Sequence, residues 1–233
     1  MLKHRDNKHH VEWNLETTCS ILHSHFPSDI VLVIRPSKMG LMTFSCFQNF
    51  VEVNNFGAPT YNKNIDSLKH LSALLSNIEE LLKSWYQNKT GRCSFILKQD
   101  MPIKLIAFSK GSVVLNQFLY SFLTLKDNPV EDLIQFTNRI SDLYWLEGGH
   151  SGSSETWVTN KAVLENFASM KKTVHIHVTP YQVFCDTRPR IGKEERYFRE
   201  TLHRLGVNVM RTLHFENEPR CIENHFAVLK VFK

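Results

Sequence analysis

Ile103-Lys104-Leu105-Ile106-Ala107-Phe108-Ser109-Lys110-Gly111-Ser112-Val113-Val114-Leu115-Asn116-Gln117-Phe118 is the stretch whose reading decides the fold. A short run of β-branched and long aliphatic residues meets a serine with small residues two positions to either side, and an amphipathic run begins at once. Strand, tight turn and helix in that order read as a nucleophile elbow. A serine on such a turn is held toward positive φ, and its hydroxyl is pushed out at the C-terminal rim of the sheet. The residues two before and two after lie where chain meets chain, so they have to be small. Gly111 meets that demand fully, whereas Ala107 places one methyl group where glycine is more usual, giving Ala-x-Ser-x-Gly. The same residues also suit a strand whose last serine caps an ordinary helix.

Working outward, strand-like and helix-like segments alternate. Upstream, Asn14 caps a helix that Phe26-Pro27-Ser28 breaks, and Asp29-Ile30-Val31-Leu32-Val33-Ile34-Arg35 follows as a nearly uniform β-branched run. Such a run predicts a central strand, parallel to residues 103–108 and covered on both faces. Residues 36–61 are irregular and aromatic, an excursion over the sheet with a short strand expected at 41–44. Residues 66–86 carry leucines at spacings of three and four, which predicts a long helix with a wide apolar stripe. Downstream come a strand at 142–146, a small-residue flexible loop at 147–154, a helix at 161–170, a strand at 173–179, a helix at 191–205, a strand at 207–213 and a final helix at 224–232. The expected class is one α/β domain over residues 1–233, a mostly parallel sheet with helices on both faces.

Composition excludes several classes. The 233 residues, 42% hydrophobic with 16 Phe, suffice for one sizeable core. No run approaches the roughly 18 apolar residues of a membrane span. The polar N-terminus has no apolar region behind it, which argues against a secretory signal. A net charge of +5 is spread without a basic block, so no nucleic-acid partner is expected. Five cysteines at wide intervals form neither a Cys-x-x-Cys pair nor a disulfide ladder. By itself the chain reads as cytoplasmic.

A serine hydroxyl becomes a useful nucleophile when an imidazole takes its proton, and a carboxylate fixes the tautomer of that imidazole. In a hydrolase sheet the three arrive in the order Ser, acid, His. Ser109, Asp186 and His225 satisfy the order, with Asp186 in the loop after the 173–179 strand and His225 after the last strand. Glu147, directly after a strand, is the reserve acid, and His150 in the glycine-rich loop is the reserve base. The Lys110 backbone N–H is the expected oxyanion donor, and its ammonium would suit an anionic substrate. His175 and His177 share a strand face, but two ligands do not hold a metal, so core or interface histidines are expected. No cofactor is called for.

Ala107-Phe108-Ser109-Lys110-Gly111, Glu147-Gly148-Gly149-His150-Ser151-Gly152 and Asn224-His225-Phe226 together resemble an incompletely characterised metazoan mitochondrial family of α/β-hydrolase-like proteins. Trp13-Asn14-Leu15-Glu16, Phe44-Ser45-Cys46-Phe47-Gln48-Asn49-Phe50 and Asn55-Phe56-Gly57-Ala58-Pro59 extend the resemblance over essentially the whole chain. The resemblance implies a lipase- or esterase-like fold and a mitochondrial location. It places the nucleophile on Ser109 and supplies no substrate; the expected activity is that of a serine hydrolase acting on an ester, thioester or amide. A non-catalytic binding or regulatory protein with a protein partner is the alternative. It also implies a further strand and a Pro-Gly-Asp loop ahead of residue 1, so the sheet is expected to be incomplete at its N-terminal edge and short of a second oxyanion donor.

Overall fold

The computed structural model describes residues 12–40, 44–55, 57–91, 100–150, 152 and 154–233. In chain order its elements are α1 (Leu15–His25), β1 (Lys38–Gly40), β2 (Phe44–Cys46), β3 (Glu52–Val53), β4 (Pro59–Thr60), α2 (Asp66–Thr90), β5 (Ile103–Phe108), a single 3₁₀ turn (Ser109–Gly111) and α3 (Ser112–Asp127). Then follow α4 (Glu131–Asn138), β6 (Ile140–Leu146), α5 (Lys161–Ser169), β7 (Thr173–Val178), α6 (Pro180–Val183), α7 (Arg190–Arg204), β8 (Val209–Leu213) and α8 (Ile222–Val231).

The centre is a four-stranded sheet, β5-β6-β7-β8, in which every neighbouring pair is parallel. Side chains alternate across a strand, so each strand serves two layers. Leu105, Ala107, Leu143, Trp145, Val174 and Ile176 pack with α3, α5 and α7, whereas Ile106, Phe108, Tyr144 and Leu146 pack with α1 and α8. Helices therefore cover both faces, and continuous apolar strands such as β6 are what two-sided burial requires. Trp145 and Trp157 are wholly buried, and the Trp145 indole N–H donates to Asn116 Oδ1 at 3.1 Å, so its one polar atom is satisfied. Helix ends follow local chemistry. The Asn14 carboxamide accepts from Thr17 N at the start of α1, and Asn160 accepts from Val163 N at the start of α5.

The expected central strand at 29–35 is absent. The segment carries no ladder, and its burial alternates: Val31 and Val33 pack in the same cluster as Ile106 and Phe108, while Ile30, Leu32 and Ile34 are 48%, 43% and 37% exposed. β propensity reports a fit to a half-buried pleated surface and cannot supply a pairing partner. What ties this segment to β5 is side-chain contact, with Lys104 Nζ 2.7 Å from Asp29 Oδ2. Among the described residues β5 pairs with β6 alone and ends the sheet.

α2 matches the predicted helix, yet its stripe is covered only at one end. Leu68 and Leu71 are buried, whereas Leu81 and Trp85 are 69% and 57% exposed, because α2 packs on α3 and α4 and projects past them. The excursion at 36–61 holds two small antiparallel ribbons, β1-β2 and β3-β4. Of the strand expected at 41–44, residues 41–43 lie outside the described residues and Phe44 opens β2. Cys19, Cys46, Cys185 and Cys221 are free thiols; Cys93 lies outside the described residues.

Candidate functional site

The register of three strands builds one end of the sheet. Phe108 pairs with Leu146, and Leu146 pairs with His177, so Ser109 and Glu147 are the first residues beyond paired positions on neighbouring parallel strands. Both adopt left-handed backbone, with φ of 52° at Ser109 and 53° at Glu147. A non-glycine residue there costs about 1–3 kcal/mol and persists only where its surroundings over-determine it. Here the surroundings are specific: Glu147 N–H donates to His177 O at 2.8 Å, and Gly149 N–H donates to Ser109 O at 3.3 Å.

The Glu147 side chain is completely buried and fully occupied. Its carboxylate accepts from Thr179 N–H, from Thr179 Oγ1 at 2.8 Å and from His225 Nδ1 at 2.8 Å. A buried carboxylate requires donors, and three of them hold it in one orientation. Because Nδ1 donates to that carboxylate, Nε2 is the ring nitrogen left to accept a proton. α8 begins at Ile222, which puts His225 in its first turn, buried against Phe108, Tyr181 and Phe226 with ring centroids 4.9, 5.6 and 5.2 Å away. Among the described residues no hydrogen bond joins the Ser109 hydroxyl to His225.

The described residues of the glycine-rich loop and those just after it make hydrogen bonds with three side chains. Gln182 Nε2 donates to Glu147 O and Gly148 O at 3.2 and 3.0 Å. A Cβ on Gly149 would fall 1.8 Å from that Nε2, so the crossing amide leaves room for glycine alone. Glu194 accepts the backbone N–H groups of Glu155, Thr156 and Trp157, and Arg190 donates to Gly152 O and Thr156 Oγ1.

The other candidates stand elsewhere. The Asp186 side chain is 96% exposed and faces Arg220 at 3.5 Å, in the segment that follows α6, and the carboxylate that meets His225 is that of Glu147. His150 is buried and both its nitrogens are used: Nδ1 accepts from Gly152 N at 2.9 Å and Nε2 lies 3.1 Å from Glu155 O. Burial holds its pKa down to about 4. The Lys110 ammonium is buried in place of forming a solvated rim. It lies where a Cβ on Gly57 would come within 3.2 Å, and desolvation lowers its pKa. His175 meets Asp142 Oδ1 at 2.9 Å, and His177 meets His214 at 2.9 Å. Among the described residues no group of three or more His, Cys, Asp or Glu is placed to hold a metal ion.

The signal for Glu147 was its place as first residue after a strand. What hid its importance was register, since nothing local says that β6 lies beside β5. Thr179 and Gln182 carried no signal, because their roles depend on where the Glu147 carboxylate and carbonyl lie.

Comparison with known proteins places the chain. The C2orf69 family model matches residues 1–99 and 90–208. The mitochondrial protein C2orf69 homolog of Danio rerio is 43% identical over 94% of this chain, and the chain spans 65% of the length of that relative. The Mus musculus homolog is 37% identical over 100% of this chain and 73% of the relative. The Homo sapiens protein is 38% identical over 100% of this chain and 70% of the relative. No solved structure matches. Among the described residues no helix is long and apolar enough to cross a membrane. These matches cover the strand, turn and loop regions described above, and the chain belongs to the C2orf69 family of mitochondrial proteins.

Proposed function

We propose that this protein is a serine hydrolase in which Ser109 is the nucleophile, His225 the base and Glu147 the acid. The observation that carries the reading is the 2.8 Å contact between His225 Nδ1 and a wholly buried Glu147, at the rim where Ser109 stands on left-handed backbone. The chain order Ser, acid, His is kept, with Glu147 replacing Asp186. In the acyl-transfer step Ser109 Oγ bonds to the carbonyl carbon of an ester, thioester or amide while its proton passes to His225 Nε2. Glu147 stabilises the resulting imidazolium and holds its tautomer. The Lys110 N–H, in the 3₁₀ turn directly after the nucleophile, would face the oxyanion. Since Ser109 and His225 are not hydrogen-bonded, substrate or a rotamer change has to close that gap, as happens where such contacts tighten only in the complex.

A fluorophosphonate probe tests the assignment. Labelling is expected in the wild type, absent in Ser109→Ala, strongly reduced in His225→Ala and Glu147→Gln, and unchanged in Asp186→Asn. The second reading is a hydrolase-like binding protein, favoured by the missing Ser109–His225 hydrogen bond. It prevails if the wild type never labels.

A further inference from the structure

We infer that the leaving group of the substrate is an apolar alcohol or thiol, received on an aromatic wall formed by Trp13, Phe108 and Phe226. The inference rests on the reading of Ser109, His225 and Glu147 as a hydrolase site and specifies the chemistry of its substrate. Phe226 follows His225 on α8 and lies 5.3 Å from Phe108, centroid to centroid, and Trp13 stacks on Phe226 at 3.5 Å with planes 9° apart. Phe108 is also 4.9 Å from the His225 ring, so the three rings run without interruption from the base to the surface. All three residues are only half-buried, so the wall keeps contact with solvent. The Lys110 ammonium, the cation next to the nucleophile in sequence, is instead buried near Cys46 and under Gly57.

Reaction geometry says which part of the substrate meets this wall. When Ser109 Oγ bonds to the acyl carbon, its proton moves to His225 Nε2. The tetrahedral adduct then collapses by breaking the bond from carbon to the leaving oxygen or sulfur, and the same proton passes from Nε2 to that atom. The leaving atom must therefore lie within hydrogen-bonding reach of Nε2, so the group it carries falls among the neighbours of His225. Those neighbours are aromatic, which favours an apolar group through burial and ring contact.

The test compares ethyl acetate with phenylpropyl acetate, which share the acyl group and release alcohols of similar acidity. Hydrolysis is followed by pH-stat, and fluorophosphonate labelling is measured on the same preparations. The wild type is expected to favour the phenylpropyl ester in kcat/KM by about tenfold or more, and Trp13→Ala and Phe226→Ala to bring the ratio within about threefold, the ratio of the two esters on one preparation being independent of any general loss that labelling reports. Phe226→Leu keeps the apolar volume and, if Phe226→Ala does not fold, reports the loss of the ring. Equal kcat/KM for the two esters with labelling intact overturns the proposal and leaves the hydrolase reading standing. Absence of labelling in the wild type overturns both.

Discussion

Glu147→Gln separates the two acids most sharply. The wild-type carboxylate is an acceptor only, and it meets donors at Thr179 N, Thr179 Oγ1 and His225 Nδ1. A carboxamide has one oxygen and one NH₂, so one side now presents hydrogens to a group that also presents a hydrogen. If NH₂ faces Thr179 N–H, a buried backbone donor is orphaned, at a cost of about 1–3 kcal/mol. If it faces His225, Nδ1 must accept, the proton moves to Nε2, and the base can no longer take the serine proton. Loss of the correct tautomer lowers acyl transfer by about four orders of magnitude in triads of this design. Oε1 accepts from Thr179 N–H alone, and Oε2 accepts from both Thr179 Oγ1 and His225 Nδ1. A backbone N–H can only donate, whereas the hydroxyl can turn to accept and the imidazole can change tautomer, so the carboxamide oxygen should take the Oε1 place and the NH₂ should turn to the histidine. The expected outcome is a Tm near wild type with labelling and esterase rates down by roughly 10³–10⁴-fold. Thermal melting and fluorophosphonate labelling at pH 7 measure the two effects together. Wild-type labelling with a wild-type Tm would refute Glu147 as the acid.

Asp186→Asn is expected to leave both labelling and Tm unchanged, since its side chain is 96% exposed and faces Arg220; a loss of activity comparable to Glu147→Gln would restore it as the acid. Gly149→Ala should displace the Gln182 amide from two buried carbonyls and destabilise the protein by on the order of 2 kcal/mol or more, read as a fall of several degrees in Tm, and an unchanged Tm would show that the crossing amide is not held. Burial keeps His150 and His177 neutral in the fold down to about pH 4, while an unfolded histidine titrates near 6.5. The unfolded chain therefore binds more protons between those values, and stability falls as pH drops through that window, by on the order of 2 kcal/mol per histidine at pH 5. Urea midpoints should fall from pH 7 to pH 5, and less steeply in His150→Asn or His177→Asn; wild-type slopes in both variants would contradict the assignment.

The local rules held wherever the answer depended on a few consecutive residues. The 103–118 stretch predicted strand, turn and helix, and the structure places β5, a 3₁₀ turn and α3 there, with Ser109 in left-handed backbone. The caps at Asn14 and Asn160 and the strand at 173–179 were legible for the same reason. Caps and hydrophobic periods act through neighbours in sequence. Pairing does not. Residues 29–35 have the composition of a central strand, yet the described chain brings no partner strand to them. Glu147 could be named from its place after β6, but that it receives His225 follows from β5 and β6 lying side by side and from α8 returning over them. Asp186, equally well placed along the chain, stands exposed beyond α6 beside Arg220. Residue types and their order determined which groups could do chemistry; strand register and the course of the connections decided which carboxylate meets the imidazole, because a hydrogen bond is set by distances of about 3 Å between residues far apart in sequence.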